Sequence, residues 1–191
     1  MNKLMKWEKM KNKKGFTLVE VIIVVGLIGV MSAIAIPAIN SWLPNYRLKG
    51  AARSVYSTMQ KARILAVKTN KDTAIIFDPV NNKYELCDNW VAGACAGNLQ
   101  MTDFSVVGSG VGYGHGNATN QANVAATAFP MVPDDDVSYS SPINVATFNS
   151  RGLGNAGYVY LGNMQNSTTY AIGSLSSGSI KILKWRGGTW E

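Results

Sequence analysis

Lys13-Lys14-Gly15-Phe16-Thr17-Leu18-Val19-Glu20 opens the stretch that decides the fold. Lysines precede it. After Gly15 the chain is apolar to about Ile39, with Glu20 the one charge in the run. A helix of more than twenty residues, at ~1.5 Å per residue, crosses the hydrocarbon of a bilayer. Fourteen Leu, Ile, Val or Phe residues lie between Phe16 and Ile39. Each favours insertion by about 0.3–0.6 kcal/mol, and one mid-helix acid opposes it by about 2.5–3.5 kcal/mol. The run therefore inserts despite Glu20. A membrane anchor or a secretory signal accounts for the run but leaves Glu20 unexplained, because a carboxylate in hydrocarbon needs a partner. A cut after Gly15 supplies one. Phe16 then carries a free α-amine, four residues from Glu20 on the same helix or beside it on a neighbouring copy. A carboxylate in the first turn also suits the helix dipole.

Ala33-Ile34-Ala35 also matches the A-x-A pattern of a signal-peptidase site behind a basic segment. Against that cut, the apolar run is longer than a typical signal core and carries Glu20 near its start. Pro37 also sits just beyond the scissile position.

Charge sharpens the division. The 191 residues hold 18 basic and 11 acidic side chains, a net of +7. Residues 1–15 contain six lysines and one acid, Glu8, so the remainder holds 12 basic and 10 acidic groups. The high isoelectric point is therefore a property of the leader. It reads as the positive-inside signal, keeping residues 1–15 in the cytoplasm with the rest facing outward. In an outward-facing domain, Cys87 and Cys95 read as a disulfide closing a short loop. With one histidine and no second cysteine pair, metal is the weaker reading of those thiols.

Lys-Gly-Phe-Thr-Leu-Val-Glu ahead of an apolar helix resembles the prepilin signal of type IV pilins and type II secretion pseudopilins. The resemblance implies cleavage by a prepilin peptidase between Gly15 and Phe16, and N-methylation of Phe16. It implies a register role for Glu20 in a helical filament, and a kink at Pro37. The implied domains are a leader over 1–15, a transmembrane and filament-core helix over 16–39, and residues 40–191 as an amphipathic helix plus a β domain.

Within the first helix, Gly26 and Gly29 weaken helical propensity by up to ~1 kcal/mol each. They serve close packing or, by the resemblance, a segment that stretches inside the filament. Ser41-Trp42-Leu43-Pro44-Asn45 marks the exit from the membrane, with Trp42 as an interface anchor and Pro44 predicting a kink or brief interruption. Leu48, Ala52, Val55, Met59, Ala62 and Ala66 then recur at steps of four and three, one apolar stripe suited to covering a sheet. The other side carries Lys49, Arg53, Lys61, Lys68 and Lys71, and no acid occurs from Leu43 to Lys71. It reads as a solvated face or as a contact for phosphates, lipid headgroups or an acidic partner.

Beyond Thr69-Asn70-Lys71-Asp72, a polar turn, the pattern becomes strand-like. Residues 73–77 and 83–87 predict a hairpin, and 103–107 a further strand. Residues 108–128 lack a period and read as a long loop, continuing to 133, with His115 exposed between two glycines. Asp134-Asp135-Asp136 reads as a solvated turn, or as a Ca²⁺ site without EF-hand spacing. Strands at 144–148, 157–161, 169–172 and 179–185 predict one antiparallel sheet. The expected fold is α+β: a long N-terminal helix, membrane-spanning in its first half, packed on an antiparallel sheet in a pilin-like lollipop.

Two softer motifs narrow the resemblance. Lys61-Ala62-Arg63-x-x-Ala66-Val67-Lys68-Thr69-Asn70 and Phe148-Asn149-Ser150-Arg151-Gly152 look like the GspH/FimT group of minor pilins and pseudopilins. That implies a structural subunit of a type II secretion pseudopilus or a type IV pilus. Its implied place is the bacterial inner membrane with the globular domain in the periplasm, and then the filament. Its implied partners are other pilins, the prepilin peptidase, the inner-membrane assembly platform and membrane lipid. The chain shows no nucleotide motif, no nucleophile–base set and no metal spacing, so neither enzyme activity nor a cofactor is expected. The alternative is a FimT-like pilin that binds DNA for uptake. The family's Gly-Arg-x-Arg motif is here Gly178-Ser179-Ile180-Lys181. With the first arginine absent, contacts would fall to Lys181, Lys184 and Arg186, with Trp185 stacking on a base.

Overall fold

The computed structural model describes residues 15–107, 110–122, 135–163 and 166–191. The leader up to Lys14, Asp134 and much of the 108–133 loop lie outside the described residues. Contacts divide the chain into two units, one ending at Asn40 and one running from Ser41 to Glu191.

Helix α1 spans Leu18–Thr69. Its first part is long and apolar enough to cross a membrane, and its side chains there are almost all exposed. The interruption expected near Pro44 is absent, because α1 continues through both Pro37 and Pro44. Each proline removes a single donor, and the turns on either side keep theirs. Just past the apolar run, the rings of Trp42 and Tyr46 lie 5.0 Å apart on the exposed side. The helix ends where the polar turn predicted it. Asn70 takes a left-handed conformation (φ 54°) beyond Thr69, the usual way to close a helix C-terminus.

Among the described residues the β portion forms two larger antiparallel sheets and a two-stranded ribbon, not one sheet. The first has the order β5-β2-β1-β7 (Leu99–Asp103, Lys83–Cys87, Thr73–Asp78, Val145–Phe148). The second has the order β11-β10-β9-β8-β6 (Thr189–Trp190, Ile180–Arg186, Asn166–Ser174, Gly157–Asn163, Val111–Tyr113). The 144–148 strand pairs with β1, Ile75 opposite Ala146, and so leaves the C-terminal series. A small ribbon, β3 (Trp90–Val91) with β4 (Ala94–Cys95), lies between β2 and β5. Two further expectations fail. Phe104–Val107 is a 3-10 turn after β5, because Phe104 is drawn fully into the core. The long loop contains an edge strand, β6, paired with β8 from Val111 to Tyr113, Gly112 opposite Gly162; three residues with a glycine at the centre are too few to show a hydrophobic period.

The stripe on α1 covers the sheets as its spacing predicted. Leu48, Ala52, Val55, Met59, Ala62 and Ala66 are all at 0% exposure, in one core with Ile75, Phe77, Tyr84, Phe148, Val159, Leu161 and Ile172. Burial of each large aliphatic side chain stabilises by roughly 1.5–3 kcal/mol. The polar ties are local. Thr73 Oγ1 donates to the Ala62 carbonyl at 3.0 Å, and Ser54 Oγ meets the Tyr84 hydroxyl at 2.9 Å. β8 is buried along its whole length. Val159 and Leu161 face the helix-covered core, while Tyr158 and Tyr160 face a second cluster with Ala171, Leu183 and Trp190.

Candidate functional site

Thr17 and Glu20 form a reciprocal cap at the start of α1. The Glu20 amide donates to Thr17 Oγ1 at 3.2 Å, and the Thr17 amide donates to Glu20 Oε2 at 3.4 Å. This is the capping box S/T-x-x-E. Thr17-Leu18-Val19-Glu20 spells it in the sequence. Glu20 thus has a local role on its own chain. Phe16, immediately before the cap, is 85% exposed, and Gly15 precedes the helix. Around Gly26 and Gly29 an added Cβ would meet nothing within 4 Å. Pro37 lies within the uninterrupted α1.

The two softer motifs meet in space. Arg63 Nε donates to the Gly152 carbonyl at 3.0 Å. Gly152 sits at φ +75°, in a turn that Asn149 holds by accepting the amides of Arg151 and Leu153. Gly178, at φ +76°, presses on the same spot: a Cβ there would lie 1.8 Å from the Gly152 carbonyl oxygen and 3.1 Å from Arg63 Nε. One arginine on the helix therefore holds the Gly152 turn, which joins the two sheets, and the Gly178 turn of the second sheet packs directly on that contact. These motif residues are structural. They fix the β7–β8 and β9–β10 connections against α1.

Cys87 and Cys95 are bonded, with Cα atoms 5.8 Å apart. Buried Cys87 joins Ala74, Val145 and partly buried Trp90 in a small cluster on the outer face of β1 and β2.

The proposed nucleic-acid residues are not gathered into one patch. β10 pairs residue for residue with β9 from Ile180 to Lys184, so Lys181 points away from the face shared by Lys184 and Arg186. Lys184 lies over the Tyr170 ring, 5.9 Å from its centroid, and Arg186 approaches Glu191 at 4.0 Å. Burial pushes the Tyr170 phenol above its usual range, and the nearby Arg186 and Arg53 charges oppose the shift. Trp185, expected to be available to a base, instead packs edge-on against Trp190 at 5.1 Å. The Trp190 indole in turn donates to the Asn120 carbonyl at 2.7 Å.

His115 is not a bare loop residue. Its Nδ1 is 2.6 Å from Asp136 Oδ1 and both side chains are largely shielded. Neighbouring Asp135 turns elsewhere, accepting the Val137 amide and the Asn144 side-chain amide. The described members of the acidic triplet therefore diverge, and among the described residues no three His, Cys, Asp or Glu side chains cluster as metal ligands would.

Comparison with known proteins places these features. Residues 10–36 match the prokaryotic N-terminal methylation motif, and residues 51–178 match the type II transport protein GspH. Two fimbrial proteins of Pseudomonas aeruginosa are 31% identical over 97 residues, 49% of this chain, and the match spans 62% of their own length. Among solved structures, the type IV minor pilin FimU of Pseudomonas aeruginosa is similar over 72% of this chain and 89% of its own, at 14% identity and a TM-score of 0.48. The minor pseudopilin EpsH from the type 2 secretion system of Vibrio cholerae is similar over 72% and 96%, at 12% identity and a TM-score of 0.49. The GspH match covers well over half of the sequence and lies behind a methylation motif: the chain belongs to the GspH family of minor pilins and pseudopilins.

Proposed function

We propose that this chain is a filament subunit, cut between Gly15 and Phe16 by a prepilin peptidase and methylated on the new N-terminus. It enters a type II secretion pseudopilus or a type IV pilus from the inner membrane, its globular domain in the periplasm. The carrying observation is the apolar first part of α1, exposed throughout and headed by one carboxylate. Such a surface is stable in lipid or against like helices. Assembly transfers it from one to the other, with Glu20 meeting the Phe16 amine of a neighbour. The assembly platform supplies the extraction, and the subunit supplies surface and register.

A second reading, DNA binding, draws on Lys184 and Arg186 sharing one face of β10, with Lys184 over the Tyr170 ring. It is the weaker one, since Lys181 faces away and Arg186 is engaged by Glu191.

Mass spectrometry of the mature protein tests the first reading. The expected N-terminus is methylated Phe16. A chain beginning at Ile36 refutes it.

A further inference from the structure

The helix α1 carries a second ridge that no other element among the described residues covers. Gln60, Ile64 and Lys68 follow one another at four-residue steps. A groove lies on each side of them, of about 510 and 480 Å³. Ile64 is 64% exposed and Val67, in the second groove, 53%. A four-residue ridge between two grooves is the surface against which a second helix packs. Cations border it: Lys61 and Lys68 on the helix, Arg151 on the adjoining turn. No acid lies on α1 from Leu43 onward.

We propose that this ridge docks an amphipathic helix from a different filament subunit, one with aliphatic side chains on its inner face and carboxylates along its edge. The proposal rests on the filament reading above. Charge complementarity selects the partner. A second copy of this chain suits the site poorly, because its described acids are mostly engaged at home: Asp78 and Glu85 with Lys83, Asp88 with Asn98, Asp103 with the Ser105 amide. The clamp at Gly152 makes the site rigid, since Arg63, which holds that turn, also lines the second groove. A helix docking there meets a preformed surface, which lowers the ordering cost of association.

A photo-reactive phenylalanine at position 64 of the full chain, in cells that make the whole filament system, reads the contact. The same group at Val80, 92% exposed on the β1–β2 turn, is the control. The expected cross-link maps to a helical segment of another subunit, with Asp or Glu within one turn of the linked residue. Its yield should exceed the control about tenfold and fall about tenfold in Lys68→Glu with Arg151→Glu. A link to a second copy, to lipid or to an acid-free segment overturns the proposal. So does a yield no higher than at Val80, or one indifferent to charge reversal. Sheared filaments, probed in parallel, separate the two readings. Wild-type chain present in filaments without the acidic-helix link refutes the ridge alone. The link made at the membrane by a chain absent from filaments refutes the filament reading alone.

Discussion

Gly178→Ala should be among the most damaging single-methyl changes in the domain, and Gly187→Ala gives its internal standard. Both glycines have positive φ, +76° and +56°. Alanine in that region costs about 1–2 kcal/mol by backbone sterics. At Gly187 the cost stops there, because nothing lies within 4 Å of the added Cβ. At Gly178 the Cβ falls 1.8 Å from the Gly152 carbonyl oxygen, the acceptor that Arg63 Nε uses. That oxygen is backbone and cannot rotate away. Either the β9–β10 turn moves or the Gly152 turn does, and moving the latter breaks the arginine bond. Overpacking adds roughly 1–3 kcal/mol and the loss of the partly buried hydrogen bond about 1–3 kcal/mol more. A total of about 5 kcal/mol lowers the melting temperature by about 10–20 °C in a domain of this size, against about 2–8 °C for Gly187→Ala. Near-UV circular dichroism of the full chain in detergent micelles follows the transition. Equal melting of the two variants would refute the clamp.

The remaining predictions concern the ends of the argument. Removing the Cys87–Cys95 bond by Cys→Ala at both positions should cost about 2–3 kcal/mol; an unchanged melting temperature would remove its stabilising role. Glu20→Gln retains a capping side chain but no charge, so it should insert and be cleaved yet fail to enter filaments, as should Glu20→Ala. Wild-type incorporation of Glu20→Gln would show that capping alone is the residue's task. The full chain in micelles should bind duplex DNA weakly and without sequence preference, fading steeply with salt; tight binding at physiological salt, lost in Lys184→Ala with Arg186→Ala, would reverse the ranking of the two functions.

The sequence showed most where period or composition is strong. The stripe from Leu48 to Ala66 was legible because every member is apolar and the steps fit one helical face; all six side chains are fully buried. The cysteine pair and the hairpin after Asp72 were legible for similar reasons. What failed was partnership over distance. Strand Val145–Phe148 carries no mark saying that it joins β1 rather than β8, since either neighbour buries the same side chains. β6 was hard to see because it is only three residues long with Gly112 at its centre opposite Gly162, so Val111 and Tyr113, which do pack on the core, make no recognisable period. Arg63 stood in the sequence only as a member of the 61–70 motif, and nothing local showed that its Nε is aimed at a carbonyl 89 residues further on.

Glu20 shows why a site can be found by its cost and still be read incompletely. A carboxylate in hydrocarbon needs a neutralising partner, and a free amine at Phe16 is one answer. The structure gives a nearer answer for the uncut chain: Thr17 N–H and Oγ1 hold it at the helix start. The two answers are compatible, because the cap uses only groups downstream of the Gly15–Phe16 bond. The proposed cleavage would leave Thr17 and Glu20 in place and add a positive charge one residue ahead of Thr17. On that reading the helix start is set before processing, and processing would change only the charge presented there. A carboxylate already positioned by its own chain needs little reorganisation to meet that charge on a neighbour, and preorganisation of this kind sharpens register.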